Sequence, residues 1–186
     1  MFNNIHAFIE LVLDKHLGKG DIVVDATLGN GKDAFKLLER IGAEGFLYGF
    51  DIQPQAIESS DAHLKANGYA NYQLHLASHE LMSNYVEADA VQVILFNLGY
   101  LPKGDKTITT SLNGTVTAIR EGLKLLKKNG MMLVACYPGH EEGYEEYQGL
   151  LDALPKLDQK AYNLFHGSFL NQKNMPPAIF LIEKIL

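Results

Sequence analysis

At 186 residues the chain has the size of one domain, and a chain of this length buries about two-thirds of the surface its unfolded form exposes. A hydrophobic fraction of 47% and a charged fraction of 20% exclude disordered, collagen-like and disulfide-scaffold classes. The net charge of −6 has the wrong sign for a protein that coats nucleic acid over a broad face, yet leaves room for a compact basic patch that holds one RNA loop.

Phe2, Ile5, Phe8, Ile9, Val12 and Leu13 recur at spacings of three and four and predict an amphipathic helix over 1–18, ended by Gly18 and Gly20 and packed on the core. A short apolar strand, Ile22-Val23-Val24, runs straight into the turn Asp25-Ala26-Thr27-Leu28-Gly29-Asn30-Gly31. Helical spacing resumes from Lys32 to Ile41, followed by a strand Phe46 to Phe50 that ends at Asp51. Pro54 suits the first turn of a helix to about Ala66, and Tyr72 to Leu76 and Val91 to Phe96 are the third and fourth strands. A long helix is expected from about Thr107 to Lys128, with Lys124, Lys127 and Lys128 complementing its C-terminal dipole. Met131 to Tyr137 forms a fifth strand, Glu141 to Leu154 a helix, and Ala161 to Phe165 and Ala178 to Ile182 the last two strands.

Strands that alternate with helices and read as nearly continuous apolar runs imply a parallel sheet covered on both faces. The expected fold is therefore α/β and Rossmann-like: a seven-stranded, mostly parallel sheet whose last strand is antiparallel, in a single domain over 1–186. No repeat or linker interrupts it. Cys136 is the single cysteine, no signal-peptide pattern opens the chain, and no run approaches ~18 apolar residues. The expectations are a cytoplasmic protein with no membrane partner, and a sheet edge on which two copies could pair as a homodimer. No Cys/His group has zinc spacing, so no metal is expected.

Ligands in such sheets bind beyond the carboxyl ends of the strands, so Asp25, Asp51, Ser78 and Asn97 should share one rim. Gly29-Asn30-Gly31-Lys32-Asp33-Ala34 reads G-x-G-x-x-A, which serves a dinucleotide or an S-adenosylmethionine site, or an ordinary strand-to-helix turn. Asp51 stands about 20 residues on, where an acid accepts both ribose hydroxyls in either kind of site. Asp25 separates them. A carboxylate at the end of the first strand suits the amino group of methionine and repels a pyrophosphate. Asp33 adds a second negative group, although either acid can instead be a solvated or capping residue. Thr27 lies in the same turn, Gln53 follows Asp51, and Ser78-His79 follows the third strand toward an adenine edge; a lone histidine there also fits a surface position.

After the fourth strand comes Asn97-Leu98-Gly99-Tyr100-Leu101-Pro102-Lys103-Gly104-Asp105-Lys106. Amino-methylating enzymes of this fold carry an Asn/Asp-Pro-Pro-aromatic loop at this place, and here Leu-Gly replaces the prolines. Asn97 is the candidate acceptor for a substrate N–H, Tyr100 the candidate stacking platform, and Asp105 and His140 the candidate proton acceptors. An ordinary turn before a helix remains open for the loop, and a turn histidine for His140. Lys103, Lys106 and Lys173 surround this rim and could meet phosphates, although lysines on solvated loops usually have no such task, and Asn171 to Pro177 form a constrained loop near the substrate.

Taken together, the turn Asp25 to Asp33, Phe50-Asp51-Ile52-Gln53, the run Phe96 to Lys106 and Asn171-Gln172-Lys173-Asn174 resemble the small bacterial class I methyltransferases labelled rRNA methylases. The resemblance spans nearly the whole chain and departs from the family's usual turn at Leu28 and Ala34. It implies S-adenosylmethionine as cofactor and methylation of 5-aminomethyl-(2-thio)uridine at the wobble position, with the tRNA anticodon stem-loop as partner. It implies Asn30, Asp33, Asp51, Gln53, Ser78 and His79 as cofactor residues, and Asn97 through Asp105 as the acceptor segment. Other classes stay open on the residues themselves: a methyltransferase of rRNA or a small molecule, a nicotinamide-dependent oxidoreductase, and a non-catalytic binding module.

Overall fold

A computed structural model describes residues 4–99 and 111–186. In chain order these form α1 (Ile5–His16), β1 (Ile22–Asp25), α2 (Lys32–Ile41), β2 (Phe46–Asp51), α3 (Pro54–Ala66), β3 (Tyr72–Leu76), β4 (Val91–Asn97), α4 (Leu112–Leu125), β5 (Leu126–Cys136), α5 (Glu141–Ala153), β6 (Tyr162–Ser168) and β7 (Ala178–Lys184). The strands make one seven-stranded sheet in the order β3-β2-β1-β4-β5-β7-β6. β1 through β5 pair in parallel, and β7 runs antiparallel to both β5 and β6. The expected architecture is the observed one.

Period-two alternation explains the two layers. Val23, Val93, Leu95, Met131, Leu133 and Ala135 point to one face, where Ile5, Ile9 and Leu13 of α1, Leu37, Leu38 and Ile41 of α2 and Leu64 of α3 cover them. Val24, Ile94, Phe96, Met132, Val134 and Cys136 point to the other, under Ala118, Ile119 and Leu123 of α4 and Leu150 of α5. A strand buried on both faces can spare no polar position. That is why β4 reads almost wholly apolar and its burial is nearly unbroken. Among the described residues no helix is long and apolar enough to cross a membrane.

Besides shorter helix ends at α1 (Ile5–His16 behind the extended N-cap Asn4, against the expected 1–18) and α4 (from Leu112 behind the extended N-cap Ser111, against an expected start near Thr107), the structure differs from the sequence reading at three places. The long helix ends at Leu125, not Lys128, and Leu126 already pairs with Val91 of β4. Lysines 124, 127 and 128 mimic a helix face, but Leu126 turns to extended backbone (φ −62°, ψ 130°) and is buried in the ladder beside β4. The strand loops out before Met131 meets Val93. Asn129 takes a left-handed φ of 63° there, and a Cβ on Gly130 would stand 2.8 Å from the Lys127 and Val91 carbonyls. Lys127 serves a different role: its Nζ meets Asp21 Oδ1 at 2.8 Å. The second difference is a 3-10 turn, His79–Asn84, between β3 and β4, where the sequence suggested only a connection. The third is β6, which continues to Ser168, beyond the expected end at Phe165. The expected start of the long helix at Thr107, Lys103 and Lys106 lie outside the described residues.

Candidate active site

The strand order reverses direction at β1, whose neighbours β2 and β4 lead away on opposite sides, and a crevice opens at that point beyond the strand ends. Two contacts stitch it together. The Asn97 N–H donates to Thr27 Oγ1 at 2.7 Å, joining the end of β4 to the turn after β1, and the Gly29 N–H donates to Asp51 Oδ2 at 3.0 Å, joining that turn to the end of β2. Gly29 and Gly31 have φ values of 53° and 71°, which side-chain-bearing residues adopt at a cost. At Gly31 space forbids them too, since a Cβ would lie 2.8 Å from Ser60 Oγ. Ser60 Oγ in turn donates to the Gly29 carbonyl at 3.0 Å, so α3 clamps the turn from behind. The result is a cavity of about 840 Å³ lined by the turn, by Asp51-Ile52-Gln53, by Ala77 to Glu80 and by Asn97 to Gly99. That volume sits within the ~300–1,000 Å³ usual for small-molecule sites.

Asp25 is placed differently from Asp51, Ser78 and Asn97. Those three line the cavity, whereas Asp25 lies under the turn and is 1% exposed. Its carboxyl accepts from the Thr27 N–H at 3.2 Å and from the Ala34 N–H at the start of α2, yet Oδ2 is buried with no partner. Burial first, and then the charges of Asp33 and Asp51, push it from 3.8 up to about 8. An acid in that state is neutral at pH 7 and ionises when a cation arrives nearby.

Asn97 is oriented by its neighbours. Its Nδ2 donates to Asp33 Oδ2 at 3.1 Å, and its amide also hydrogen-bonds the Tyr137 phenolic oxygen. A carboxylate only accepts, so the amide nitrogen faces Asp33 and Oδ1 is the end left to receive a donor. Tyr137 reaches further, its hydroxyl lying 3.1 Å from His6 Nε2 of α1. Burial, followed by the Asp33 charge, raises the phenol from 10 to about 12.

His79 is half-buried, not a surface histidine. Its Nδ1 lies 3.0 Å from the Ala26 carbonyl, and its ring packs edge-on against Phe96 with centroids 5.5 Å apart. Because a carbonyl only accepts, Nδ1 carries the proton and Nε2 is the acceptor; burial lowers the group's pKa, keeping the ring neutral. Ser78 caps the 3-10 turn, accepting from the Glu80 N–H at 3.3 Å, so its hydroxyl is partly committed to local structure. The Gln53 N–H donates to Asp51 Oδ1 at 2.9 Å, and the Gln53 side chain lies on the wall with Asn30.

His140 also lines the cavity, but as the N-cap of α5 its Nδ1 accepts the Gly143 N–H at 3.1 Å. The accepting lone pair is thereby used within the fold, which weakens the case for His140 as a proton acceptor. Lys173 is exposed and is not part of the wall. Its loop does approach the rim, because Gly139 faces the backbone of Asn174 and Met175. Tyr100 and Asp105 lie outside the described residues.

Ile52, His6 and Tyr137 are among the wall residues to which the sequence reading gave no role. Ile52 is 54% exposed, and its signal was an apolar residue set between Asp51 and Gln53 in an otherwise polar turn. His6 offered no signal, since only the docking of α1 brings it to a rim built from residues far along the chain.

A family model described as "Putative rRNA methylase" matches residues 47–183. The chain is 36% identical over 184 residues to a chloroplastic tRNA (mnm5s2U34)-methyltransferase of Arabidopsis thaliana, covering 94% of this chain and 67% of that protein. Among solved structures, a protein from Clostridium thermocellum described as "putative rRNA-methylase" superposes with a TM-score of 0.95 at 35% identity, each chain covered in full. A protein from Streptococcus mutans described as "a putative methyltransferase", solved in complex with SAH, superposes with a TM-score of 0.89 at 31% identity, again over both whole chains.

Proposed function

From the premise that this chain belongs to the family described as rRNA methylases, we propose that it transfers a methyl group from S-adenosylmethionine to the amine of 5-aminomethyl-(2-thio)uridine at the tRNA wobble position. The observation that carries this reading is the orientation of Asn97. An amide oxygen presented at the cavity wall beside the glycine turn suits an amine that must be held by its N–H bonds. The target itself rests on the plant relative, which is named for the same wobble modification. An rRNA target explains the observations no better.

The wall residues fit the methyl donor. Asp51 keeps lone pairs beyond those used by the Gly29 and Gln53 N–H groups and can receive ribose hydroxyls, while Ile52 and Ala77 offer apolar surface for an adenine ring. Asp33 and Asp51 set a negative field that favours a ligand carrying ammonium and sulfonium charges, and Asp25, neutral until such a ligand arrives, adds to that field on ionising. The unpartnered Asp25 Oδ2 is the kind of orphan that such a ligand relieves. S-adenosylmethionine supplies an electrophilic methyl on sulfur, and the protein's task is to aim a free amine lone pair at it, the reacting atoms about 3–3.5 Å apart. Asn97 does the aiming through Oδ1, held in place by Asp33 and Tyr137. The anticodon stem-loop is the partner, and the cytoplasm is where such an enzyme meets it.

Nucleoside mass spectrometry of tRNA incubated with the protein and S-adenosylmethionine tests the proposal. The expected product is methylaminomethyluridine, heavier than its precursor by one CH2. Unchanged aminomethyluridine, with methyl transfer found on rRNA or a small molecule instead, refutes the substrate and leaves the cofactor standing.

A further inference from the structure

Tyr137 and His6 form a hydrogen-bonded pair at the cavity wall, and neither is needed to seat the turn or the cofactor residues. The phenol stands between two partners: the Asn97 amide on the cavity side and His6 Nε2 at 3.1 Å on the solvent side. His6 is exposed on α1, whereas Tyr137 is half-buried. The pair therefore connects the residue that receives the acceptor amine with bulk water through two exchangeable groups.

We infer that Tyr137 and His6 are a proton-exit relay, which takes the proton an alkylammonium substrate must lose before its nitrogen can attack. The inference rests on the amine-methylation reading above. The chemistry balances without any further reagent. An N–H bond of the ammonium breaks and its electron pair stays on nitrogen as the nucleophilic lone pair. That proton goes to the Tyr137 oxygen as the phenol's own proton passes to His6 Nε2, so Tyr137 is neutral before and after. The nitrogen then forms its bond to the methyl carbon as the carbon–sulfur bond breaks, with that electron pair leaving on sulfur. Imidazolium His6 returns the proton to water.

The phenol is suited to passing a proton and not to keeping a charge, because burial and Asp33 hold its pKa near 12. The charged and titratable groups around the pair are Glu10 on α1, Asp33 and Lys36 on α2, Cys136 at the end of β5 and His140 at the start of α5. Glu10 and Lys36 are paired with each other at 2.7 Å, and Arg40 engages Glu10 and Asp14. Cys136 is buried with its thiol pushed up by desolvation. His6 is thus the member of this set that both touches the phenol and opens to solvent.

The test compares the pH dependence of single-turnover methyl transfer in the wild type, His6→Gln and Tyr137→Phe. Without the relay only substrate already deprotonated in water reacts, and alkylammonium groups titrate near ~10. His6→Gln should be roughly 100-fold slower at pH 7, with the deficit shrinking about tenfold per pH unit and largely gone by pH ~9, and Tyr137→Phe should show the same pH-dependent deficit on top of a constant loss from the freed Asn97 amide. A loss that is the same at every pH means the pair is structural and overturns the inference. A second measurement needs no variant: the imidazole of His6, followed by NMR in wild-type protein with SAH, should titrate where the acid limb of the wild-type rate lies. If the two midpoints differ by more than one pH unit, the relay is wrong. Failure of the wild type to methylate the tRNA would instead refute the amine-methylation reading itself, so the two failures are distinguishable.

Discussion

Replacing Asp25 by Asn should make the cofactor-free protein more stable and its cofactor binding insensitive to pH. The carboxyl is fully buried, and burial with the Asp33 and Asp51 charges moves it from 3.8 to about 8. The folded pKa lies above the unfolded one, so this acid costs no stability below pH ~4, costs progressively more as pH rises, and reaches its full cost above pH ~8. At pH 7 the gap of about three units corresponds to roughly 4 kcal/mol as an upper bound. Asn carries the neutral shape without that cost, and urea unfolding at pH 7 should show the gain, shrinking toward pH 4. A cation placed in the cavity favours the ionised acid, so binding S-adenosylmethionine at pH 7 should release about 0.9 proton. Affinity should fall about tenfold per pH unit below 8. Calorimetry in buffers of different ionisation enthalpy reads the proton directly. No proton release, together with equal stability of wild type and variant, would refute the claim that Asp25 is a neutral acid awaiting a cation.

Asn97→Ala should keep the dissociation constant for S-adenosylmethionine within a few-fold, since the contact with Thr27 comes from its backbone N–H, while single-turnover methyl transfer drops by about 100-fold or more; a variant with full activity removes Asn97 from the reaction. Gly31→Ala should cost about 1–3 kcal/mol, because a left-handed φ of 71° is strained for alanine and the new Cβ meets Ser60. Thermal melts check this, and adding Ser60→Ala should recover only part of the loss, as the backbone strain stays.

Local signals sufficed wherever one segment decided its own structure. α2 and α3 begin and end where the spacing, Gly42 and Pro54 place them, because an apolar stripe and its stop residue lie in one stretch of chain. The misreading at Lys127 and Lys128 came from a competition that spacing cannot weigh. Helix-like lysines gave way to the pairing of Leu126 with Val91, made by a strand over thirty residues away. The site followed the same division. Asp51 and Asn97 were legible because strand ends in a parallel sheet share an edge. Asp25 was identified as an acid near the turn, but its burial beneath it, which makes the carboxyl neutral, depends on Ala34, Asp33 and Asp51 together. His6 was invisible because nothing in α1 states which strand ends it will overhang.

The same electrostatics decide between the two cofactors that share a glycine turn. A dinucleotide would bring a pyrophosphate to the N-terminus of α2, whose open N–H groups ordinarily welcome it. Here Asp25 already accepts from the Ala34 N–H, Asp33 occupies the first turn, and Asp51 takes the Gly29 N–H. Two of the donors a phosphate would use are spent on carboxylates. Each further like charge at about 5 Å would cost about 3 kcal/mol at an effective dielectric of 20. A sulfonium with an ammonium group gains where the pyrophosphate loses, and the neutral acid Asp25 converts that gain into ionisation. Side-by-side calorimetry should therefore find binding of S-adenosylmethionine and none of a nicotinamide dinucleotide at matched concentration. Neutralising the field with Asp33→Asn should narrow the difference. Dinucleotide binding by the wild type, unaffected by that substitution, would show that these carboxylates do not set the choice.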